Sequence, residues 1–269
     1  MRTVAFLNKK GGVGKTSLCH HLSGVFSGRG LRVLLVDCDP QASLTNGLIG
    51  PDATWGLKTD ATVAVLYGGG AVPSTASIIL ETPVPSVWII PGAESLELCN
   101  HASPWERGAL QTVLRDALSE VEADYDLCLI DCPPSVQLCS WSALVAADAV
   151  VVPLQAEDYG AQGVVGIQRS IRRVQAGPNP SLVLLGLLIT MFNKSLGVHK
   201  DYERSLRDIY GDSVFTAMVP LAKDFKEAVM IRKPVNLYKP RSLATRATIA
   251  VAEEIFSRLD LVANTKKVA

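Results

Sequence analysis

The run Asn8-Lys9-Lys10-Gly11-Gly12-Val13-Gly14-Lys15-Thr16-Ser17 has the residue types needed to hold a phosphate. A short apolar run, Val4-Ala5-Phe6-Leu7, precedes it, and Leu18, Leu22, Val25 and Phe26 follow at helical spacing. Strand, glycine-rich turn and helix in that order gather the backbone N–H groups of the turn around an anion. The helix dipole favours negative charge at the same place. Lys15 can reach terminal phosphates, and the Thr16 hydroxyl can ligate Mg²⁺. The strict pattern G-x-x-x-x-G-K-[ST] is not met, because Lys9 holds the first glycine position. Lys10, directly before the glycine pair, is a second cation that could serve the phosphates in cis or from a partner subunit. The alternative is a solvated basic turn whose glycines serve a tight bend.

Two further stretches carry carboxylates at strand ends. Val33-Leu34-Leu35-Val36 is continuous, apolar and rich in β-branched residues, and it ends in Asp37-Cys38-Asp39-Pro40. Leu127-Cys128-Leu129-Ile130 ends in Asp131-Cys132-Pro133-Pro134-Ser135. Such runs suit strands buried on both faces of a parallel sheet, whose C-terminal ends border the ligand crevice. Asp37 is placed to enter a Mg²⁺ shell or to hold the loop, and Asp39 to orient a water or merely to start a turn. Asp131 is placed to bind Mg²⁺ directly or through water. The stiff Pro133-Pro134 suits a segment that senses a γ-phosphate.

The elements that position these residues alternate strand and helix. Further strands are expected over Ser77–Leu80, Val87–Ile90, Ala149–Pro153, Leu182–Thr190 and Val214–Val219. Helices are expected over Thr62–Tyr67, Glu94–Asn100, Ala109–Val121, Gly163–Val174, Asp201–Tyr210 and Ser242–Leu261. The pattern predicts an α/β fold, a doubly wound, mostly parallel sheet with helices on both faces. One domain is expected over 1–262, followed by a short polar tail at 263–269; residues 47–86 are the least legible. Asn193, at the end of the long apolar strand, could read a purine edge through its amide or simply form a turn.

Composition narrows the setting. The chain has 269 residues, 48% of them hydrophobic, enough for one sizeable core. Lys+Arg and Asp+Glu both number 26, so global charge draws the chain to neither nucleic acid nor membrane, and any such binding needs a local patch. No run is long enough to span a bilayer, and the N-terminus has no signal-peptide layout. None of the six cysteines forms a CxxC pair. Buried, reduced thiols are expected, with a redox or metal role for Cys38 and Cys132 left open.

Taken together, Lys9 to Ser17 resembles the deviant Walker A motif of the ParA/MinD family of P-loop ATPases. Asp37 to Ser43 resembles its Walker A′ segment, and Leu129 to Ser135 its Walker B segment. Gln155 to Gly163, Thr190 to Asn193 and the block from Lys226 to Ser242 are similar to the ParA branch. The resemblance implies ATP and Mg²⁺ as cofactors and a face-to-face, ATP-dependent homodimer. In it Lys10 reaches the partner's phosphates, Lys15 and the Gly11–Ser17 backbone cradle phosphates in cis, and Thr16 and Asp131 serve Mg²⁺. Asp39 positions the attacking water, and Asn193 and Pro220 border the nucleotide. It further implies slow ATP hydrolysis stimulated by a ParB-like or other small partner, non-specific DNA as the surface bound, and a cytoplasmic, nucleoid-associated location.

Candidate DNA contacts are Lys223, Lys226, Arg232, Lys233, Lys239, Arg241 and Arg246, with Arg172, Arg173 and Lys194 as further ones. One departure stands out. ParA members often show Pro-Arg-Asn after the last strand, where this chain has Pro220-Leu221-Ala222-Lys223-Asp224. The last helix lacks the terminal apolar face with basic flanks that membrane-binding members use. Two other classes remain at this point. One is a nucleotide-switch regulator that recruits a membrane, polysaccharide-synthesis or organelle complex without DNA. The other is a metal-cluster carrier, which would need a paired-cysteine motif that this sequence lacks.

Overall fold

Along the first strand, Val4 and Phe6 face one side while Ala5 and Leu7 face the other, and all four are fully buried. The same two-residue alternation splits Val33 and Leu35 from Leu34 and Val36, and Leu127 and Leu129 from Cys128 and Ile130. A strand with no polar face must be covered twice, and this is what creates the two core layers.

The computed structural model describes residues 1–69, 74–156 and 160–268, with backbone only for 160–163 and 261–268. Glu157 to Tyr159, within one of the family-like stretches, and residues 70–73 lie outside the described residues. In chain order the elements are β1 Arg2–Phe6, α1 Lys15–Ser27, β2 Val33–Asp37, α2 Ser43–Ile49, α3 Pro51–Trp55, β3 Leu80–Glu81, β4 Val87–Ile90, α4 Leu96–Cys99 and α5 Val113–Glu120. They continue with β5 Leu127–Asp131, α6 Leu138–Ala146, β6 Ala149–Gln155, α7 Gly160–Gln175, β7 Val183–Thr190, α8 Gly197–Tyr210, α9 Lys223–Met230, α10 Val235–Tyr238 and α11 Leu243–Val268.

The sheet order is β3-β4-β2-β5-β1-β6-β7, with every neighbouring pair parallel except β3 and β4. One core layer packs α1, α2 and α11 on the sheet, and the other packs α5, α6 and α7. The doubly wound parallel sheet expected from the sequence is the fold observed.

Several local expectations need correction. Ser77–Leu80 is not a strand: a 3-10 turn covers Thr75–Ile78, and only Leu80 and Glu81 pair, antiparallel to β4. Val214–Val219 forms no continuous ladder either, making only isolated bridges from Leu187 to Val214 and from Phe192 to Pro220. Phe215 and Val219 donate to the β7 carbonyls of Leu187 and Ile189, but side chains of α11 take backbone groups between and beside them. Arg258 donates to the carbonyls of Asp212 and Val214 at 3.0 Å, and Glu254 accepts from the N–H groups of Thr216 and Ala217 at 2.9 and 2.8 Å. The expected Ala109–Val121 helix is split into a 3-10 turn at Gly108–Gln111 and α5. α11 continues in backbone through Val268.

Helix α1 joins the phosphate loop to the C-terminal block. Gly24 lies against Pro234 and Asn236, and its carbonyl accepts from Asn236 Nδ2 at 2.9 Å. A Cβ at Gly24 would overlap the Pro234 ring and come within 2.6 Å of Asn236 Oδ1. Gly24→Ala is therefore expected to destabilise the protein by about 1–3 kcal/mol, although alanine is the better helix former. Urea midpoints of the two proteins check this.

His20 and His21 are both 1% exposed on the same helix. His21 Nδ1 accepts the Val235 N–H at 3.1 Å. Burial pushes the His20 imidazole down to about 4 and holds His21 well below the ordinary histidine value. Both are neutral in the folded chain, whereas an unfolded imidazole charges near 6.5. The stability this represents is complete above about pH 6.5 and is lost as pH falls toward 4. For His20 the loss at pH 5 comes to about 2 kcal/mol. Comparing urea midpoints at pH 7 and pH 5, His20→Gln should show a visibly smaller drop than the parent.

Candidate functional site

Sheet register brings the separate motifs together. Phe6 of β1 pairs with Asp131 of β5, and Asp131 pairs with Asp37 of β2. The last residues of three adjacent strands therefore lie side by side at one edge of the sheet, roughly 5 Å apart. The phosphate loop leaves β1 at that same edge.

The loop is held by its carbonyls. Lys15 Nζ donates to Lys10 O at 3.3 Å, Gln155 Nε2 to Gly12 O at 3.1 Å, and Thr190 Oγ1 to Val13 O at 2.8 Å. Asn8 braces the entry: its Nδ2 donates to Pro153 O at 2.6 Å, and its Oδ1 accepts the Lys10 N–H at 3.0 Å. With these carbonyls occupied, the first N–H groups of α1, which lack helical acceptors, remain available as donors to an anion. Gly12 and Gly14 have φ of 74° and 92°, a region that glycine enters without a Cβ clash. A Cβ on Gly11 or Gly12 would meet nothing within 4 Å, so the space over the loop is open. Lys15 is buried, Thr16 and Ser17 are half-buried, and Lys10 is exposed.

The two strand-end carboxylates differ. Asp37 is saturated: Oδ1 accepts the Asp39 N–H at 3.2 Å, and Oδ2 accepts the Thr45 N–H at 2.9 Å and its hydroxyl at 2.7 Å. The Thr45 hydroxyl in turn accepts the Gly92 N–H at 2.9 Å. Burial pushes Asp37 up to about 6, against the pull of the Thr45 hydrogen bonds. Asp131 is equally buried, yet neither of its oxygens has a hydrogen-bond partner among the described residues. Burial and the nearby Asp37 push its carboxyl well up, opposed by the Thr16 hydroxyl and the Lys15 ammonium that face it. An orphaned buried carboxylate beside a hydroxyl suits a hard cation that takes oxygen ligands. Among the described residues no group of three His, Cys, Asp or Glu side chains could hold a metal alone. Such a cation would therefore take most of its ligands from phosphate and water.

Asp39 is half-buried, and its Oδ1 accepts the Gln41 N–H at 3.0 Å. Beside the loop a cavity of about 680 Å³ is lined by Thr16, Ser17, Thr190, Met191 and Pro220, among others. Asn193 is not among the lining residues: its Oδ1 accepts the Ser195 N–H at 3.0 Å, which is the turn geometry. Cys38 and Cys132 are buried beside the aspartates, and burial pushes both thiols far up, which keeps them protonated and unreactive.

The family model described as AAA domain (AAA_31) matches residues 1–184. The chromosome-partitioning ATPase Soj of Thermus thermophilus is 35% identical over 259 residues, 96% of this chain and 97% of that protein. The chromosome partitioning protein ParA of Caulobacter vibrioides is 35% identical over 265 residues, 96% of this chain and 95% of that protein. This chain belongs to the ParA/Soj family. Among solved structures, Mycobacterium smegmatis cobyrinic acid a,c-diamide synthase with bound ADP and magnesium is similar at a TM-score of 0.74 and 29% identity, covering 90% of this chain and 97% of that one.

Set against ParA/Soj membership, the basic C-terminal block is partly neutralised. Lys239 Nζ contacts Asp224 at 2.7 Å and Glu227 at 2.6 Å, and those carboxylates raise its pKa. Lys223 pairs with Glu227 at 3.3 Å. The Arg232 guanidinium packs over Gly50. Lys226, Lys233, Arg241, Arg246 and Lys194 are exposed. Arg172 and Arg173 lie on α7, where Arg173 stacks on Trp105. Sequence reasoning missed Thr45 and Gly92 as supports of the site, because neither stands within a recognisable motif; Gln155 opens a family-like stretch, but its bond to the Gly12 carbonyl was not foreseen. No described helix is long and apolar enough to cross a membrane.

Proposed function

We propose that this chain is an ATP-hydrolysing positioning switch of the partitioning type. It dimerises face to face on ATP, holds non-specific DNA in that state, and lets go after slow hydrolysis stimulated by a ParB-like or other small partner. The observation that carries the reading is Asp131, buried with no hydrogen-bond partner among the described residues and facing Lys15 and Thr16 at the mouth of an open glycine loop.

In this reading the N–H groups of Gly11 to Ser17 and the Lys15 ammonium bind the nucleotide phosphates. Thr16 and Asp131 hold Mg²⁺, which when bound neutralises charge on the β- and γ-phosphates. Asp37 takes the loop-holding role, since its oxygens already fix Asp39 and the start of α2. Asp39, braced in this way, orients the attacking water. The 680 Å³ cavity with Pro220 in its wall receives the base. Lys10 reaches the phosphates of the partner subunit, so two facing loops repel until a γ-phosphate lies between them. With water oriented by one carboxylate and charge supplied from outside the subunit, turnover is slow, which suits a timer. The setting is cytoplasmic and nucleoid-associated.

Light scattering with and without ATP tests dimerisation, and DNA binding of the ATP state at rising salt tests the matrix. Affinity is expected to fall linearly in log–log terms with salt. A dimer that ignores DNA at low salt would support the second reading, a nucleotide-switch regulator without DNA. The capping of Lys239 and Lys223 by Asp224 and Glu227, and the exposed Leu221 and Met230 beside them, favour that alternative.

A further inference from the structure

A second built site lies on the α7 side of the phosphate loop. It is a cleft of about 330 Å³ whose wall includes Lys9, Trp105, Trp141, Gly166, Arg169 and Arg173. Its floor is rigid: Trp141 is 2% exposed, and its Nε1 donates to Gln111 Oε1 at 3.0 Å. Trp105 meets Trp141 edge-on at 5.9 Å between centroids, and the Arg173 guanidinium lies 3.5 Å over the Trp105 ring. Lys9 lays its ammonium along Gly166, where a Cβ would come within 3.1 Å of Nζ.

Three cations therefore converge on one cleft, and no carboxylate lines its wall among the described residues. Among the described residues none of the three forms an ion pair with an acid. Arg169 and Arg173 are four residues apart on α7, a like-charge spacing that repels. Lys9 adds to that repulsion, and an anion in the cleft would relieve it. A guanidinium stacked on an indole is also pre-organised for two-point binding of a carboxylate.

We propose that this cleft docks an acidic linear segment of a partner protein, with one or two carboxylates between Arg169, Arg173 and Lys9 and an apolar side chain against the Trp105–Trp141 floor. The volume suits two or three side chains. Trp141 is buried and Arg173 covers one face of Trp105, so successive stacked nucleic-acid bases have no continuous platform there. Lys9 is the chain neighbour of Lys10, so the cleft borders the phosphate loop. The proposal goes beyond the nucleotide reading, and its test needs no nucleotide.

The probe is a fluorescein-labelled seven-residue peptide with three glutamates and one leucine, followed by anisotropy with the nucleotide-free protein at low salt. Saturable binding is expected, weakened at least about tenfold by Arg169→Glu with Arg173→Glu. Arg115→Glu with Arg204→Glu makes the same charge change elsewhere and should leave binding within about twofold, since distant charges are screened. Trp105→Phe should weaken binding and alter the tryptophan fluorescence change on titration; circular dichroism checks that each variant is folded. The proposal is overturned if the peptide does not bind, if the control pair loses as much as the cleft pair, or if a lysine-substituted peptide binds equally. Competitive displacement by a thymidine oligonucleotide that itself depends on Arg169 and Arg173 would overturn it in favour of nucleic acid.

Discussion

Asp39→Ala protein given ATP is expected to accumulate as a dimer while its turnover falls about 10²- to 10⁴-fold, the range for losing a side chain positioned on the reacting water. The geometry separates the two effects. Asp39 contributes a carboxylate at the end of β2, but its backbone is held independently, its N–H donating to Asp37 Oδ1 and Asp37 in turn anchored by Thr45. Removing the carboxylate therefore leaves the strand end, the phosphate loop and Asp131 where they are. Binding groups survive and the water-orienting group does not, so the ATP state should persist. Phosphate release and light scattering on the same sample check both halves. Unchanged turnover would remove Asp39 from the chemistry, and a monomer under saturating ATP would sink the face-to-face mechanism.

Lys10→Gln should have the opposite pattern: monomeric ATP binding largely spared, dimerisation lost, and with it about 10³-fold or more of turnover, the scale on which a trans cation acts in phosphoryl transfer. Two bonds that Lys10 makes within the loop belong to its backbone. Its N–H donates to Asn8 Oδ1 and its carbonyl accepts from Lys15 Nζ, so a glutamine keeps both. The loop should keep its shape and its cis lysine. Nucleotide binding by a fluorescent ATP analogue, read beside sedimentation with ATP, distinguishes the two functions. A Lys10→Gln protein that dimerises and hydrolyses like the parent would show that this side chain has no trans role.

Local chemistry made much of this protein legible before any coordinates. A glycine-rich turn between an apolar strand and a helix has one economical geometry, because left-handed φ at Gly12 and Gly14 excludes side chains. Apolar runs ending in aspartate read as central parallel strands because both faces must be buried, and β2 and β5 are buried at every residue. Where the reading failed, non-local partners had intervened. Val214–Val219 has strand composition, but Arg258 and Glu254 of α11 claim the Val214 carbonyl and the Thr216 and Ala217 N–H groups, which interrupts a ladder with β7. Helices α2 and α6 carry weak local signals: α2 has neither an acidic first turn nor a side-chain cap, and α6 is buried nearly all round.

By itself the sequence determined the phosphate loop, the strand-end aspartates and the doubly wound parallel sheet, since each depends on neighbours in the chain: glycine conformation, apolar periodicity, strand-to-helix order. Only the tertiary structure decided that Asp37 is spent on Thr45 while Asp131 has no hydrogen-bond partner among the described residues, and that Lys239 is capped by Asp224 and Glu227. It alone brought Lys9 to Arg169, Arg173 and two tryptophans. Periodicity and residue type say what a group can do. Whether a carboxylate or ammonium is free to do it depends on which distant groups the fold brings within hydrogen-bond range, and spacing along the chain carries no record of that.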